Sequence, residues 1–181
     1  TEIQNVAIAG MGGSAIGGEL LQSLYSREMP VPVHIVREYN LPGFVKSNTL
    51  IILSSYSGNT EETLSAYDQA DKMGGVIVCI TTGGLLAERA NKNGNPIIYL
   101  PKGYQPRAAI GLSFIPLVRI FQKFGILSDK SEDVKETIQL LGELGRKYSP
   151  ENGEISKPLL LAKRISGKIP IIYTGPSPFE A

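Results

Sequence analysis

Tryptophan is absent from this chain of 181 residues, and cysteine and histidine occur once each. With Cys79 alone, no disulfide can form within the chain. The sequence has no paired C-x-x-C, no H-E-x-x-H and no carboxylate cluster, which are the spacings that hold a metal, so none is expected. Charge of one sign is also lacking: 18 Lys and Arg face 17 Asp and Glu, for a formal net charge of +1. A balance of that kind, without a basic block, provides no electrostatic footprint for nucleic acid. Long hydrophobic runs are missing too. The longest, residues 108–118, is interrupted by Gly111, Ser113 and Pro116 and is too short to cross a membrane. No secretory leader pattern opens the sequence. A lone thiol inside the apolar run Val76-Ile77-Val78-Cys79-Ile80 suits a reducing compartment, so a soluble cytoplasmic protein is expected.

What remains is ordinary globular composition, 42% hydrophobic. Apolar runs at residues 5–9, 33–36, 50–53, 76–80 and 96–100 alternate with segments of helical character. These runs are continuous rather than alternating, so both faces of their sheet are expected to be covered. The β-α-β-α order predicts an α/β fold with a doubly wound, flavodoxin-like, parallel five-stranded sheet. Residues 108–124 form a nearly all-apolar helix, which calls for a core position or a subunit interface; the residues leave both open. A charged helix over 132–148 follows, and Ser149-Pro150-Glu151-Asn152-Gly153 breaks the pattern. That break divides the chain into a domain over 1–150 and a remainder over 151–181. Beyond it, a helix over 155–166 leads to a sixth apolar run, residues 168–173. This run is expected to be the first strand of a second unit, because it enters a Gly/Ser turn just as the first strand does.

Two loops carry the chemistry. Gly10-Met11-Gly12-Gly13-Ser14 follows the first strand and Ser55-Tyr56-Ser57-Gly58-Asn59-Thr60-Glu61-Glu62 follows the third. A strand running through a Gly/Ser/Thr loop into a helix N-terminus presents free N–H groups and the positive end of a dipole to an anion. The first loop also satisfies the dinucleotide fingerprint G-x-G-x-x-A, with Glu38 where a ribose-binding acid would stand. The hydroxyl-rich second loop tips the balance toward a sugar phosphate, because a monophosphate needs several converging donors. In a flavodoxin-like order the first and third strands flank the switch point, and both loops would face one crevice. Helix capping is the plain alternative for Ser57, Thr60 and the Asn59/Glu62 pair, and it accounts for one hydroxyl but not for the whole cluster. Arg107, at the mouth of the apolar helix, faces either solvent or a negative charge. His34 opens the second strand, opposite the crevice, and is not expected to be catalytic.

The segments Gly10-Met11-Gly12-Gly13-Ser14-Ala15-Ile16-Gly17-Gly18, Ser55-Tyr56-Ser57-Gly58-Asn59-Thr60-Glu61-Glu62 and Gln105-Pro106-Arg107-Ala108-Ala109-Ile110-Gly111 occur in that order. Together they resemble the bifunctional phosphoglucose/phosphomannose isomerases, a family built from two sugar isomerase (SIS) domains. The resemblance spans the chain and implies the first SIS domain plus the start of the second. It implies that Gly12, Gly13, Ser14, Ser55, Ser57 and Thr60 hold the phosphate of glucose 6-phosphate, mannose 6-phosphate or fructose 6-phosphate. Arg107 would stabilise an enediolate during aldose–ketose isomerisation. No cofactor or metal is implied, and a homodimer is. The family's base, ring-opening histidine and a lysine would lie past Ala181; Glu180 falls too early after the last run to be that base. Two readings compete with the isomerase: a non-catalytic sugar-phosphate-binding SIS module that regulates a partner, and an NAD-binding domain.

Overall fold

The structure is a computed structural model that describes residues 2–105, 108–149 and 156–173. It divides into two compact units, Thr1–Ser128 and Asp129–Ala181. In the first, the strands β1 (Asn5–Gly10), β2 (Val33–Val36), β3 (Thr49–Ser55), β4 (Val76–Thr81) and β5 (Ile97–Tyr99) alternate with helices. The helices of this unit are α1 (Gly13–Tyr25), α2 (Glu61–Met73), α3 (Gly84–Asn93) and α4 (Ile110–Lys123). All strand pairs are parallel, in the order β2-β1-β3-β4-β5, the doubly wound arrangement that the continuous apolar runs predict.

Strand alternation sends odd and even residues to opposite faces. On one face Val6, Ile8, Leu50, Ile52, Val78 and Ile80 pack with Leu21 of α1 and Leu117, Val118 and Phe121 of α4. On the other, Ala7, Ala9, Ile51, Leu53, Ile77 and Cys79 meet Leu64, Tyr67 and Ala70 of α2 and Leu86 and Ala90 of α3. The direction of winding through the sheet therefore reverses between β1 and β3: the crossover after β1 runs over one face and the crossover after β3 over the other. The apolar helix over residues 108–124 is a core helix along its Ser113–Leu117–Phe121 side. Ile110 and Phe124, at the two ends of that same side, are exposed.

The second unit contains α5 (Ser131–Tyr148) and α6 (Lys157–Ile165). Glu132 and Asp133 in the first turn of α5, with Arg146 and Lys147 in its last, match the helix dipole. One expectation is corrected here. Residues 168–173 carry no strand pairing among the described residues, and Ile169, Ile171, Ile172 and Tyr173 are exposed. An apolar run has strand propensity, but a parallel strand gains its hydrogen bonds only from a neighbour, and the described residues of this unit offer none. Of the break at 149–153, everything from residue 150 lies outside the described residues.

Cys79 sits in the sheet interior, fully buried, and that burial pushes its thiol up to about 12 from an ordinary 9.0. The native chain should therefore resist a thiol reagent at pH 8 and react fully in denaturant. Because the unfolded thiol ionises above pH 9 while the folded one stays neutral, its linkage removes stability as pH rises through that range. Denaturant titrations at pH 8 and pH 10 should show a larger loss for the parent than for Cys79→Ala, by about 1 kcal/mol. Rapid native labelling, or equal losses, would contradict the burial.

Candidate functional site

The two loops meet at the point where the strand order reverses. β1 pairs with β3 in a register that sets Gly10 beside Ser54, each the last or next-to-last residue of its strand. A Cβ on Gly10 would stand 2.8 Å from the Ser54 carbonyl oxygen and 3.3 Å from the Ser14 Cβ. Only glycine lets the backbones come this close. Gly12, Gly13 and Ser14 are thereby placed at the same sheet edge as Ser55, Ser57 and Thr60, and all six sequence-predicted phosphate residues share one end of the sheet.

Capping does not account for the hydroxyls. Thr60 stands at the N-cap of α2 in extended conformation, yet its side chain makes no cap hydrogen bond. Its hydroxyl is 2.8 Å from that of Ser55, and Ser55 Oγ also accepts the Gly58 N–H at 3.1 Å. Ser57 Oγ accepts the Asn59 N–H at 3.2 Å and is exposed at the loop tip. Gly12, the N-cap of α1, has no side chain to offer a cap either. Both helix N-termini at this edge thus lack a side-chain cap, as an anion site built from backbone N–H groups requires.

Asn59 does cap a helix, but not its own. Its side-chain oxygen accepts the Leu85 N–H at 3.0 Å, at the start of α3. The same contact zone holds the serine loop in shape. Leu86 N–H donates to the Gly58 carbonyl at 2.9 Å, and Thr82 N–H to the Tyr56 carbonyl at 3.0 Å. Gly58 has a φ of 73°, and a Cβ there would lie 1.8 Å from the Gly83 carbonyl oxygen. The turn Thr81-Thr82-Gly83-Gly84 is therefore a template against which the serine loop is moulded. Sequence reading passed over this turn, although a Gly-Gly pair directly after an apolar run was the available signal.

The acidic residues after the loop are also accounted for. Glu61 accepts a hydrogen bond from the Tyr39 hydroxyl at 3.2 Å, on the connection between β2 and β3. That bond, with the Glu62 charge beside it, holds the Tyr39 hydroxyl above its usual range. Glu61 is thus engaged with a neutral partner, and both glutamates sit in the first turn of α2, where they favour the helix dipole. His34 is exposed near the start of β2 and meets Phe44 edge-on at 5.6 Å, away from the loop edge of the sheet. Arg107 and Pro106 lie outside the described residues. Among the described residues, no group of three or more His, Cys, Asp or Glu could hold a metal, and no helix is long and apolar enough to cross a membrane.

Solved structures share this architecture. Tagatose-6-phosphate ketose/aldose isomerase from Escherichia coli aligns over 98% of this chain and 50% of its own, with a TM-score of 0.64 and 18% identity. The C-terminal domain of glucosamine-fructose-6-phosphate aminotransferase from Francisella tularensis aligns over 98% and 52%, with a TM-score of 0.65 and 16% identity. The fold is that of the SIS-domain phosphosugar proteins.

Sequence narrows the class further. A bifunctional phosphoglucose/phosphomannose isomerase from Caldicellulosiruptor bescii is 48% identical over 95% of this chain and 51% of its own length. One of the same name from Thermoplasma acidophilum is 38% identical over 98% and 51%. A D-glucosamine-6-phosphate 4-epimerase from Sulfolobus acidocaldarius is 35% identical over 94% and 51%. No protein-family model matches the chain. By sequence, then, this chain is a relative of the bifunctional phosphoglucose/phosphomannose isomerases, and it spans about half the length of the curated relatives it matches.

Gly58→Ala tests the moulded loop. The left-handed φ costs a non-glycine residue about 1–3 kcal/mol, and the clash with Gly83 adds to it. Denaturant unfolding should show at least that loss, whereas a change under about 0.5 kcal/mol would mean that the two turns are not interlocked.

Proposed function

We propose that this chain supplies the phosphate-binding half of a hexose-phosphate isomerase, which interconverts glucose 6-phosphate or mannose 6-phosphate with fructose 6-phosphate. The observation that carries this reading is the Gly10–Ser54 register, which brings two uncapped helix N-termini and their hydroxyl loops to one edge. In this reading the Gly12 and Gly13 amides and the hydroxyls of Ser14, Ser55, Ser57 and Thr60 surround the phosphate. Ser14, Ser55 and Thr60 are buried or partly buried, so they lose little freedom on binding, while the exposed Ser57 closes over the anion.

Isomerisation moves a proton between C1 and C2 and leaves negative charge on the enediolate oxygens. Arg107 is the proposed counter-charge, a role that in preorganised sites lowers a barrier by about 3–4 kcal/mol. It follows the loop after β5, and strands of a doubly wound sheet deliver their ligand residues at that end. No residue of this chain is assigned as the base. A relative named as an epimerase matches the chain over the same span. The grip therefore suits a phosphorylated hexose in general, and residues outside it choose the reaction and the glucose or mannose preference. We assign the working protein to the cytoplasm and to a homodimer.

Calorimetry separates this reading from the dinucleotide one. Heat should be evolved with fructose 6-phosphate and none with millimolar NADH; the reverse would restore the dinucleotide reading. Ser57→Ala removes one hydrogen bond to a charged group, worth roughly 1.5–3 kcal/mol, and should weaken fructose 6-phosphate binding by about tenfold or more. Its melting temperature should hardly move, because within the protein Ser57 Oγ accepts only an exposed local bond. Equal loss of binding and folding would make Ser57 a structural residue.

A further inference from the structure

The tyrosine inside the serine loop is not explained by phosphate binding. Tyr56 turns its ring into the apolar cluster on the α1/α4 face of the sheet. Its hydroxyl emerges on the far side and makes two hydrogen bonds with the segment after β5. It donates to the Pro101 carbonyl oxygen at 2.9 Å and accepts the Tyr104 N–H at 3.0 Å. These partners lie 45 and 48 residues away in sequence, on a loop that is otherwise exposed from Pro101 to Gln105. A phenol that donates and accepts at once fixes two backbone groups of that loop, one on each side of Gly103, whose φ is 93°.

We propose that Tyr56 is a positioning residue: its hydroxyl ties the loop after β5 to the phosphate loop, so that both meet a bound sugar phosphate in one fixed frame. The proposal rests on the hexose-phosphate reading of the site. It gives the Tyr56 position a role distinct from that of its serine neighbours. The serines and Thr60 set affinity for the phosphate, and Tyr56 sets where the following loop stands relative to it.

Tyr56→Phe keeps the buried ring and removes only the hydroxyl. In the full chain, trypsin should cut after the exposed Lys102 several-fold faster in this variant. Affinity for inorganic phosphate, read by calorimetry, should stay within about twofold. In a protein extended past Ala181 to include the base, isomerisation of fructose 6-phosphate should lose kcat by about tenfold, the equivalent of 1.36 kcal/mol, with KM nearly unchanged. Tyr104→Pro deletes the donated N–H from the other side and should reproduce the pattern, which guards against a variant that simply misfolds. Unchanged cleavage at Lys102 would overturn the tether. A rise in KM or loss of phosphate binding without a fall in kcat would make the hydroxyl part of the grip and overturn the positioning role. If that extended parent turns over no hexose phosphate, the isomerase reading fails while the Lys102 cleavage still decides the tether.

Discussion

The parallel pairing of β1 with β3 is the constraint on which the rest of this structure depends. It determines which loops become neighbours, because crossovers leave the two strands in opposite directions and over opposite faces. Pairing alone would set the loops side by side; the missing side chain at Gly10 lets them touch. Two helix dipoles then converge with their positive ends at one edge. A single such terminus is a weak anion site. A pair, with hydroxyls between them, favours a compact dianion over the extended pyrophosphate of a dinucleotide.

The second feature is that the serine loop is held by its surroundings rather than by itself. Its hydroxyls and amides bond locally, but its shape is imposed by the Gly83–Gly84 turn, by Asn59 reaching α3, and by Tyr56 reaching the loop after β5. A site held from several sides loses less entropy when a ligand arrives. The use of Asn59 on α3 also matters electrostatically. Had it capped α2, one of the N–H groups facing the crevice would have been occupied.

Much of this was legible in the sequence, for identifiable reasons. The strands stand within a residue or two of their apolar runs because buried parallel strands need apolar residues on both faces. Ser14, Ser55, Ser57 and Thr60 were visible because strand–loop–helix junctions have local chemistry. What local patterns could not show was partnership across the fold. Asn59 and Glu62 have the spacing of a cap on their own helix, yet the partner of Asn59 lies 26 residues on. Tyr56 has no local signal of its role, and its partners lie 45 and 48 residues on. Residues 168–173 illustrate the converse: strand propensity without a neighbouring strand produced no strand.

The claim that both loops form one phosphate site is open to direct measurement by backbone amide NMR during titration with fructose 6-phosphate. Shifts should develop together, along a single binding curve, at Gly12, Gly13, Ser57, Gly58, Glu61 and Glu62, with Glu38 and His34 unmoved. Shifts confined to one loop, or spreading from the first loop to Glu38, two residues past β2, would contradict the shared site.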